Sequence, residues 1–368
     1  MVTVEVLRRE ARDFIGASID ADLACPMFGT IMPPVMFDRA RAWQRHCYDA
    51  GFAGIDWPAA FGGRGLSAAH AQVWSEECAR SGVAAYMNFQ GIVLAGGAIR
   101  TFGSDEQKTK YLDATLRADI VWCQLFSEPS AGSDLVGMST RAEPTSEGWL
   151  VSGQKVWSST AQLAHHAILL ARTNSDEPGH RGISFFLFDM GADGVDVRPL
   201  RQMTGDSEFC EVFLDEAPVA SDDLVGPLHG GWTVATSVLA DERASVGAAG
   251  IGLRRRLSKV EVATDGSTRA RALDLRAHGD ALARLLERSG GDARLGPLTK
   301  LAMTEFEGLI SAQAVDVGGA DGMLLIDATE PFLYSPGMRI AGGTSEIQRN
   351  LIGERLLGLP REPRPGPT

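Results

Sequence analysis

The residue of this sequence with the clearest chemical potential is Glu242, within GWTVATSVLADERASVGAAGIGL at 231–253. Burial would raise the pKa of its carboxyl group toward neutrality, as a general base requires. Spacing places it on a buried helix face, because apolar residues recur around it at steps of three and four. That face comprises Trp232, Ala235, Val238, Leu239, Val246, Ala249 and Leu253. A structural glutamate paired with a neighbouring arginine explains the position equally well.

Two hydroxyl-rich stretches could hold a ligand. In FSEPSAGSD (126–134), small residues leave backbone N–H groups free to bond an anion or a ring edge, although an ordinary surface turn has the same composition. In GQKVWSST (153–160), Trp157 ends an alternating strand and precedes three hydroxyl residues. Its indole is either buried in the core or forms a flat wall for a planar cofactor. In the second case the hydroxyl groups would bond to the edge of the cofactor.

A third stretch, RIAGGTSEIQRN (339–350), predicts a glycine turn followed by a helix. Ser345 and Gln348 have the spacing of a capping box, and the helix is expected to end near Gly358 and Pro360. The positive end of such a helix, beside two glycines, suits a phosphate or pyrophosphate. A capped helix start that binds nothing is the alternative.

Bulk properties exclude several function classes. The net charge is −12, with no basic stripe, which argues against nucleic acid or an anionic membrane as a partner. Five cysteines without a CxxC pair predict reduced thiols in a cytoplasmic protein and no structural zinc site. The N-terminus lacks a signal-peptide core, and no apolar run approaches the roughly 20 residues of a membrane helix. His165 and His166 have no ligand-spaced partners and are interpreted as surface or strand-end residues.

The order of helical and strand-like patterns along the chain predicts an α+β protein with several domains. Residues 1–119 are mostly helical, and Ser104 and Gln107 mark one helix start with a capping box. Short β-rich runs at 120–228 favour an antiparallel barrel or sandwich. Helical periodicity returns at 229–360, and the proline-rich tail 361–368 is predicted to be disordered. The order is not the strand–helix alternation of a Rossmann domain.

In this order and at these separations, the motifs resemble the flavin-dependent acyl-CoA dehydrogenase family over nearly the whole chain. The stretches that carry the likeness are WPAAFGGRG, FGSDEQKTKYL, WCQLFSEPSAGSDL, GWLVSGQKVWSST and GGTSEIQRNLIGERLLGLP. The resemblance implies an N-terminal helical domain, a middle antiparallel β-barrel-like domain and a C-terminal four-helix bundle. It also implies FAD at subunit boundaries of a tetramer, an acyl-CoA substrate, and an electron-transferring flavoprotein as acceptor.

The resemblance carries specific roles onto this sequence. The motif positions that match the family's FAD contacts are Gln124, Phe126, Ser127, Gly132, Ser133, Trp157, Ser159, Thr344 and Glu346. Among them the Ser127 hydroxyl is expected near flavin N5, and Trp157 near the ring with Ser159 at its edge. Gly132 and Ser133 are expected by the pyrophosphate or the substrate. Thr344 and Glu346 are expected to contact FAD of the same or a neighbouring subunit.

Two departures from the family pattern matter. Many members place the catalytic glutamate directly before the Gly-Thr of the last motif, where this chain has Gly342. A subset instead places it on a bundle helix before an arginine, and LADERASVGAAGIG matches that arrangement with Glu242 as base and Arg243 beside the substrate. Gly342 keeps a backbone N–H that could polarise the thioester carbonyl. The family's Arg…Phe-Gly segment is replaced by STRARALDLRAHGDALARLLERSGG, as in relatives that form α₂β₂ assemblies.

The leading hypothesis is therefore α,β-dehydrogenation of an acyl-CoA, in a homotetramer or an α₂β₂ heterotetramer. One alternative is a flavoenzyme of the same fold that acts on a carrier-protein-bound acyl chain or works as an oxidase. Another is a non-catalytic subunit that completes a partner's FAD site. The acyl group is not determined, although a glycine at position 342 leaves room for a bulky or branched one.

Overall fold

A computed structural model describes residues 2–28, 31–177, 179–244, 257, 266–289, 292–324 and 329–361. Within these ranges, a few side chains are not described, namely those of residues 241–244, 267, 287, 289 and 293. Apart from Arg361, the tail predicted to be disordered lies outside the described residues. The chain forms two compact units, residues 1–241 and 242–368, and each is described by itself.

The first unit begins with helices. They are α1 Val4–Asp20, α2 Phe37–Asp49, α3 Ala68–Ser81, a π-helical stretch Gln90–Ala95, α4 Gly96–Phe102 and α5 Asp105–Leu116. The capping box predicted for α5 is confirmed. The Ser104 hydroxyl accepts from the Gln107 N–H, and the Gln107 side-chain oxygen accepts from the Ser104 N–H.

Stacked aromatic rings form the core of these helices. The ring of Phe14 lies 5.6 Å from that of Trp43 and 4.8 Å from that of Phe52, and Phe52 lies 4.7 Å from Trp74. These rings come from α1, α2, the turn that follows α2, and α3. Burial of such large apolar side chains holds helices together that would be marginal alone.

One curled sheet follows the helices. Its strands are β1 Trp122–Leu125, β2 Arg141–Pro144, β3 Gly148–Ser159, β4 His166–Arg172, β5 Ile183–Asp189, β6 Val195–Leu200, β7 Phe209–Ala220 and β8 Leu224–Val225. The strand order is β6-β7-β3-β2-β4-β5-β8, with β1 paired to β4 off this path. The prediction of an antiparallel, barrel-like middle region is confirmed for most of these pairs.

Two pairs are exceptions: β1 runs parallel to β4 from Trp122↔His166 to Leu125↔Leu169, and β2 pairs in parallel with β4 at Arg141↔Arg172. The β2–β3 hairpin reverses the chain before β4 begins, so β4 runs in the same direction as β1 and β2. His166 is the first residue of β4, and the Val121 N–H donates to Nδ1 of His165. The interpretation of both histidines as strand-end residues is confirmed.

The helices and the sheet share one core. The Gln107 side chain of α5 donates to the carbonyl oxygens of Asp222 at 2.7 Å and Leu224 at 2.9 Å. The Tyr111 hydroxyl of the same helix donates to Asp223. These bonds fasten α5 to the end of the sheet, where the chain enters the helix α6, Gly231–Ala244.

The second unit is helical throughout the part that is described. It contains α7 Gly266–Ser289, α8 Gly296–Gly318, α9 Thr329–Ile340, α10 Ser345–Leu351 and a π-helical turn Ile352–Leu356. Its apolar core comprises Leu257, Leu275, Leu282, Leu286, Met303, Phe306 and Ile310. The predicted fold class, helices followed by a β region and further helices, is confirmed.

Candidate functional site

The first candidate site lies where β1 ends. Phe126 follows β1 and is 4% exposed, so its side chain packs in the core, with its ring 6.0 Å from that of Phe185. The half-buried Ser127 accepts a hydrogen bond at its carbonyl oxygen from the Val156 N–H of β3, at 2.9 Å. Gln124, two residues before Phe126, is also half-buried. The turn at Ser127 is thereby joined to the strand that carries Trp157.

Trp157 leaves the sheet at an irregularity in β3. The register with β7 jumps from Lys155↔Val212 to Ser158↔Cys210, so two residues of β3 oppose one residue of β7. Such a bulge re-aims side chains, and Trp157 has a left-handed φ of 59° and is 59% exposed. The core interpretation of this tryptophan is therefore wrong. The other interpretation, a flat wall for a planar cofactor, stays a prediction, and it requires an exposed indole such as this one.

The strain at Trp157 has a measurable cost. A left-handed backbone costs an L-residue about 1–2 kcal/mol, so the surrounding structure must hold it in place. One neighbour is Phe209, whose ring meets the indole edge to face at 5.9 Å between centroids. Ser159, half-buried, pairs with the same Phe209 in the sheet.

Small exposed residues complete this region. Gly132 and Ser133 are exposed on the turn that follows Ser127. A Cβ at Gly132 would meet no atom of the described residues within 4 Å, and the backbone of Gly132 is not left-handed. Nothing in this part of the chain requires glycine there, whereas the close approach of a ligand would.

A buried ion pair lies behind the turn. The Lys155 ammonium contacts a carboxylate oxygen of Glu128 at 2.9 Å, with side chains 0% and 1% exposed. Glu128 also accepts from the Ser139 N–H and hydroxyl, both at 2.7 Å, and from the Thr140 N–H at 3.0 Å. Lys155 donates as well to the carbonyl oxygen of Phe126, at 3.2 Å.

Electrostatics keep this pair charged at neutral pH. Burial by itself would raise the pKa of Glu128, but the charge and hydrogen bond of Lys155, with those from Thr140 and Ser139, lower it to about 2. Burial lowers the pKa of Lys155 to about 8 against the opposing influence of Glu128. Neither residue was predicted to have a role from the sequence. The available signal was a charge inside each motif, since GQKVWSST contains Lys155 and FSEPSAGSD contains Glu128 and Asp134.

The helix proposed to carry the base begins in the first unit. Val234, Ala235 and Val238 of α6 are buried in the shared core, and Trp232 and Leu239 pack against it. The first half of the predicted apolar face is confirmed. Glu242 lies in the last turn of α6, four residues after Val238, and Arg243 follows it. The side chains of Glu242 and Arg243, and residues 245–256, lie outside the described residues.

The second candidate site is the glycine turn of the second unit. Gly342 and Gly343 have left-handed φ angles of 65° and 93°, which explains why glycines stand there. Thr344 is the N-cap of α10, since its hydroxyl accepts from the Ile347 N–H at 3.2 Å. The prediction of Ser345 as the capping residue is wrong by one position. The Ser345 hydroxyl donates instead to Glu305 of α8, at 2.9 Å.

Two buried side chains hold this turn from behind. Lys300 of α8 donates to the carbonyl oxygens of Gly343 at 2.7 Å and Arg339 at 3.3 Å. Gln348 donates to the carbonyl oxygens of Gly342 at 2.8 Å and Gly343 at 3.2 Å. With those carbonyls engaged on the inner side, the turn is held in one conformation. Sequence reasoning missed Lys300, which is an isolated charge in the apolar run LTKLAM.

Glu346 lies on the exposed first turn of α10. A hydrogen bond from its own backbone N–H lowers the pKa of the Glu346 carboxyl group, and a hydrogen bond from the Thr344 hydroxyl lowers it further. The helical run that begins here continues to Leu356 and stops before Gly358, as predicted.

The structure thus brings Ser127 and Trp157 together in the first unit and Gly342, Thr344 and Glu346 together in the second. Among the described residues, no group of three or more His, Cys, Asp or Glu side chains could hold a metal ion. None of the helices in the described ranges is long and apolar enough to cross a membrane. All five cysteines are buried and free.

Comparison with known proteins gives consistent matches along the chain. The family models for the acyl-CoA dehydrogenase N-terminal, middle and C-terminal domains match residues 4–119, 123–217 and 264–357. The acyl-CoA dehydrogenase IpdE1 of Mycolicibacterium smegmatis is 34% identical over 398 aligned residues, covering 98% of this chain and 99% of IpdE1.

Solved structures of similar fold include two multi-chain assemblies. The Tcur3481-Tcur3483 steroid ACAD has a TM-score of 0.85 and 24% identity, with 98% of both chains covered. The ChsE4-ChsE5 complex from Mycobacterium tuberculosis has a TM-score of 0.81 and 25% identity, again with 98% of both chains covered. The first likeness concerns the fold alone.

Proposed function

Because the chain belongs to the acyl-CoA dehydrogenase family, we propose that it oxidises an acyl-CoA thioester to its α,β-unsaturated product, with FAD as the bound oxidant. The observation that carries this proposal is the exposed, left-handed Trp157 beside Ser127. A flat aromatic face next to hydroxyl groups is what an isoalloxazine ring needs on one side.

The residues present fit the cofactor. Trp157 offers an exposed indole, Ser127 and Ser159 offer hydroxyls near it, and Gly132 leaves room for close approach. Gln124, Phe126 and Ser133 complete the set proposed in the first unit, with Phe126 contributing through its backbone. In the second unit we propose Thr344 and Glu346 as FAD contacts. When bound, the flavin would accept the hydride that leaves the β-carbon.

The protein's own side chains supply the proton chemistry. In this proposal Glu242 takes the α-proton of the substrate as a general base, while the β-hydrogen departs with its electron pair as hydride. The electron pair of the broken α-C–H bond becomes the new double bond. Support comes from the buried face of α6, which Glu242 continues by helical spacing, and from the glycine at position 342. The Gly342 N–H would polarise the thioester carbonyl, and Arg243 would contact the substrate.

Anaerobic flavin bleaching tests the assignment of the base. The variant Glu242→Gln keeps the size of the side chain but cannot accept the proton, so bleaching by acyl-CoA should slow by about 10²–10⁴-fold. Asp241→Asn, one residue away on the same helix, is the matched control and should bleach at the wild-type rate. Wild-type bleaching in Glu242→Gln would remove Glu242 as the base.

The acyl group is proposed to be bulky or branched, because position 342 carries no side chain in a place where many family members have a carboxylate. A panel of straight, branched and cyclic acyl-CoA thioesters, compared by bleaching rate, tests this. Fastest turnover of short straight chains would contradict it.

The assembly is proposed to be a tetramer, either of identical chains or α₂β₂, with an electron-transferring flavoprotein as the electron acceptor. The likeness to ChsE4-ChsE5, which is a complex of two proteins, and the replaced Arg…Phe-Gly segment support the mixed form. Protein that purifies colourless alone and yellow with a paralogous partner would support α₂β₂. A yellow homotetramer would support the other form. The cytoplasmic location stays a prediction.

A further inference from the structure

The bulge that exposes Trp157 is fastened at three points to the turn that carries Ser127. The Val156 N–H donates to the Ser127 carbonyl oxygen at 2.9 Å. Lys155 reaches the Phe126 carbonyl oxygen at 3.2 Å and Glu128 at 2.9 Å. Every bond therefore joins one of two adjacent residues of β3 to one of three consecutive residues after β1.

These bonds hold a stretch of β3 that the pairing with β7 does not hold. Lys155 is the last residue of β3 that pairs with β7 before the bulge, and pairing resumes only at Ser158. Val156 and Trp157 lie in the unpaired stretch between them. A left-handed tryptophan in such a stretch would relax to an ordinary strand conformation unless its flanks were held. The Phe209 ring packs against the indole at 5.9 Å between centroids, and this contact is made by the side chain of Trp157.

We infer that the buried pair of Lys155 and Glu128 is a positioning device, which holds the Ser127 turn and the Trp157 bulge in the one arrangement that receives the flavin ring. Neither residue touches the ring in this account. They act through Ser127 and Trp157. The inference rests on the proposed function, since it takes those two residues to face FAD.

The burial of the pair explains why it can do this. The oxygens of the Glu128 carboxylate accept from the Lys155 ammonium, from the N–H and hydroxyl of Ser139 and from the N–H of Thr140. A carboxylate so enclosed cannot rotate without breaking charge-assisted bonds between side chains that are fully buried. The turn from Phe126 to Glu128 is therefore held at a fixed distance from Lys155. Lys155 is the residue of β3 at which the bulge begins, so the position of the bulge is fixed as well.

The test measures FAD affinity and the flavin spectrum in the holoenzyme, with its partner if one is needed. In Glu128→Gln the dissociation constant for FAD should rise about tenfold, which corresponds to about 1.4 kcal/mol. The visible flavin band should shift toward that of free FAD. The matched control is Glu143→Gln, which removes the carboxylate of an exposed ion pair with Arg141 in the same sheet. It should leave affinity and spectrum unchanged.

A double-mutant cycle separates positioning from general stability. Glu128→Gln is combined with Trp157→Phe, and FAD affinity is measured for the wild type, both single variants and the double variant. If the pair acts through Trp157, the loss caused by Glu128→Gln should shrink at least threefold in the Trp157→Phe background. Equal losses in both backgrounds would overturn the inference.

Lys155→Met is a second variant, and a lower denaturation midpoint with an unchanged FAD affinity and spectrum in either variant would also overturn the inference. Such a result would leave the proposed function intact, since the wild type would still bind FAD and bleach with acyl-CoA. A wild-type protein that binds no FAD, alone or with a partner, would overturn both.

Discussion

Both candidate loops are held from behind by a buried lysine that donates to backbone carbonyl oxygens, and one of these lysines, Lys155, also belongs to a fully buried ion pair. Lys155 shares its ammonium group between the Phe126 carbonyl and the enclosed carboxylate of Glu128. Lys300 donates to the carbonyl oxygens of Gly343 in the glycine turn and of Arg339 in the last turn of α9. The carboxylate bonded to that turn belongs to Glu305, whose side chain is 38% exposed and also faces Arg349.

The ion pair of Lys155 affects how rigidly each of the two loops is held. Breaking a buried ion pair leaves an uncompensated charge away from water, which costs far more than the loss of a bond to a neutral carbonyl. The Trp157 region is therefore expected to resist deformation, as a strained backbone requires. The glycine turn is held by hydrogen bonds to carbonyl oxygens, and breaking one of them is expected to cost less.

The largest expected effect is that of Lys155→Met, which leaves the Glu128 carboxylate buried without its counter-ion. The free energy of unfolding should fall by about 3–5 kcal/mol. Chemical denaturation checks this, with Gln154→Met on the adjacent, half-buried position of β3 as the control. A loss below about 1 kcal/mol would place this pair among ordinary surface ion pairs and remove the contrast between the loops.

A pH titration sharpens the same point. The pKa of Glu128 is lowered to about 2 in the folded protein, from an ordinary value near 4.5. Its contribution to stability is therefore complete above the higher value and is lost as pH falls through the lower one. The stability difference between wild type and Glu128→Gln should be constant from about pH 5 to 7 and shrink between about pH 4.5 and 2. Denaturation midpoints across this range measure it, and a difference that grows with acid would contradict the charged pair.

A smaller effect is expected for Lys300→Met. The carbonyl oxygens of Gly343 and Arg339 would lose a donor, at a cost of about 1–3 kcal/mol. The ratio to the Lys155→Met loss is the quantity of interest, since the comparison requires Lys300→Met to be the milder change. Equal losses in the same denaturation experiment would mean that the two loops are held equally firmly.

The smallest effect is expected for Gly342→Ala. Its φ of 65° is left-handed, so alanine should cost about 1 kcal/mol after the gain from a stiffer unfolded chain. Gly337→Ala is the control, because that glycine lies inside α9 with open space around its Cβ. It should stabilise the protein by about 0.5–1 kcal/mol. A stabilising Gly342→Ala would indicate that the turn readily adopts another conformation.

Much of the architecture could be predicted from local patterns. The α5 capping box depends on two residues three positions apart, and the apolar face of α6 on a period of 3.6, so both are legible in the sequence. The capping residue of α10 was misplaced because Thr344 and Ser345 both suit the role. Only the position of Glu305, on another helix, explains why Ser345 turns away.

By itself the sequence determined the order of helices and strands, the family, and which short motifs could meet a flavin, because these depend on residues close together in the chain. Only the tertiary structure decided that Trp157 is exposed, because the bulge that exposes it depends on the register between β3 and β7, which are distant in the chain. It also decided the roles of Lys155 and Lys300. In the sequence each lysine is an ordinary charged residue. Its role depends on a carbonyl or carboxylate that is distant in the chain and that only folding brings within hydrogen-bonding distance.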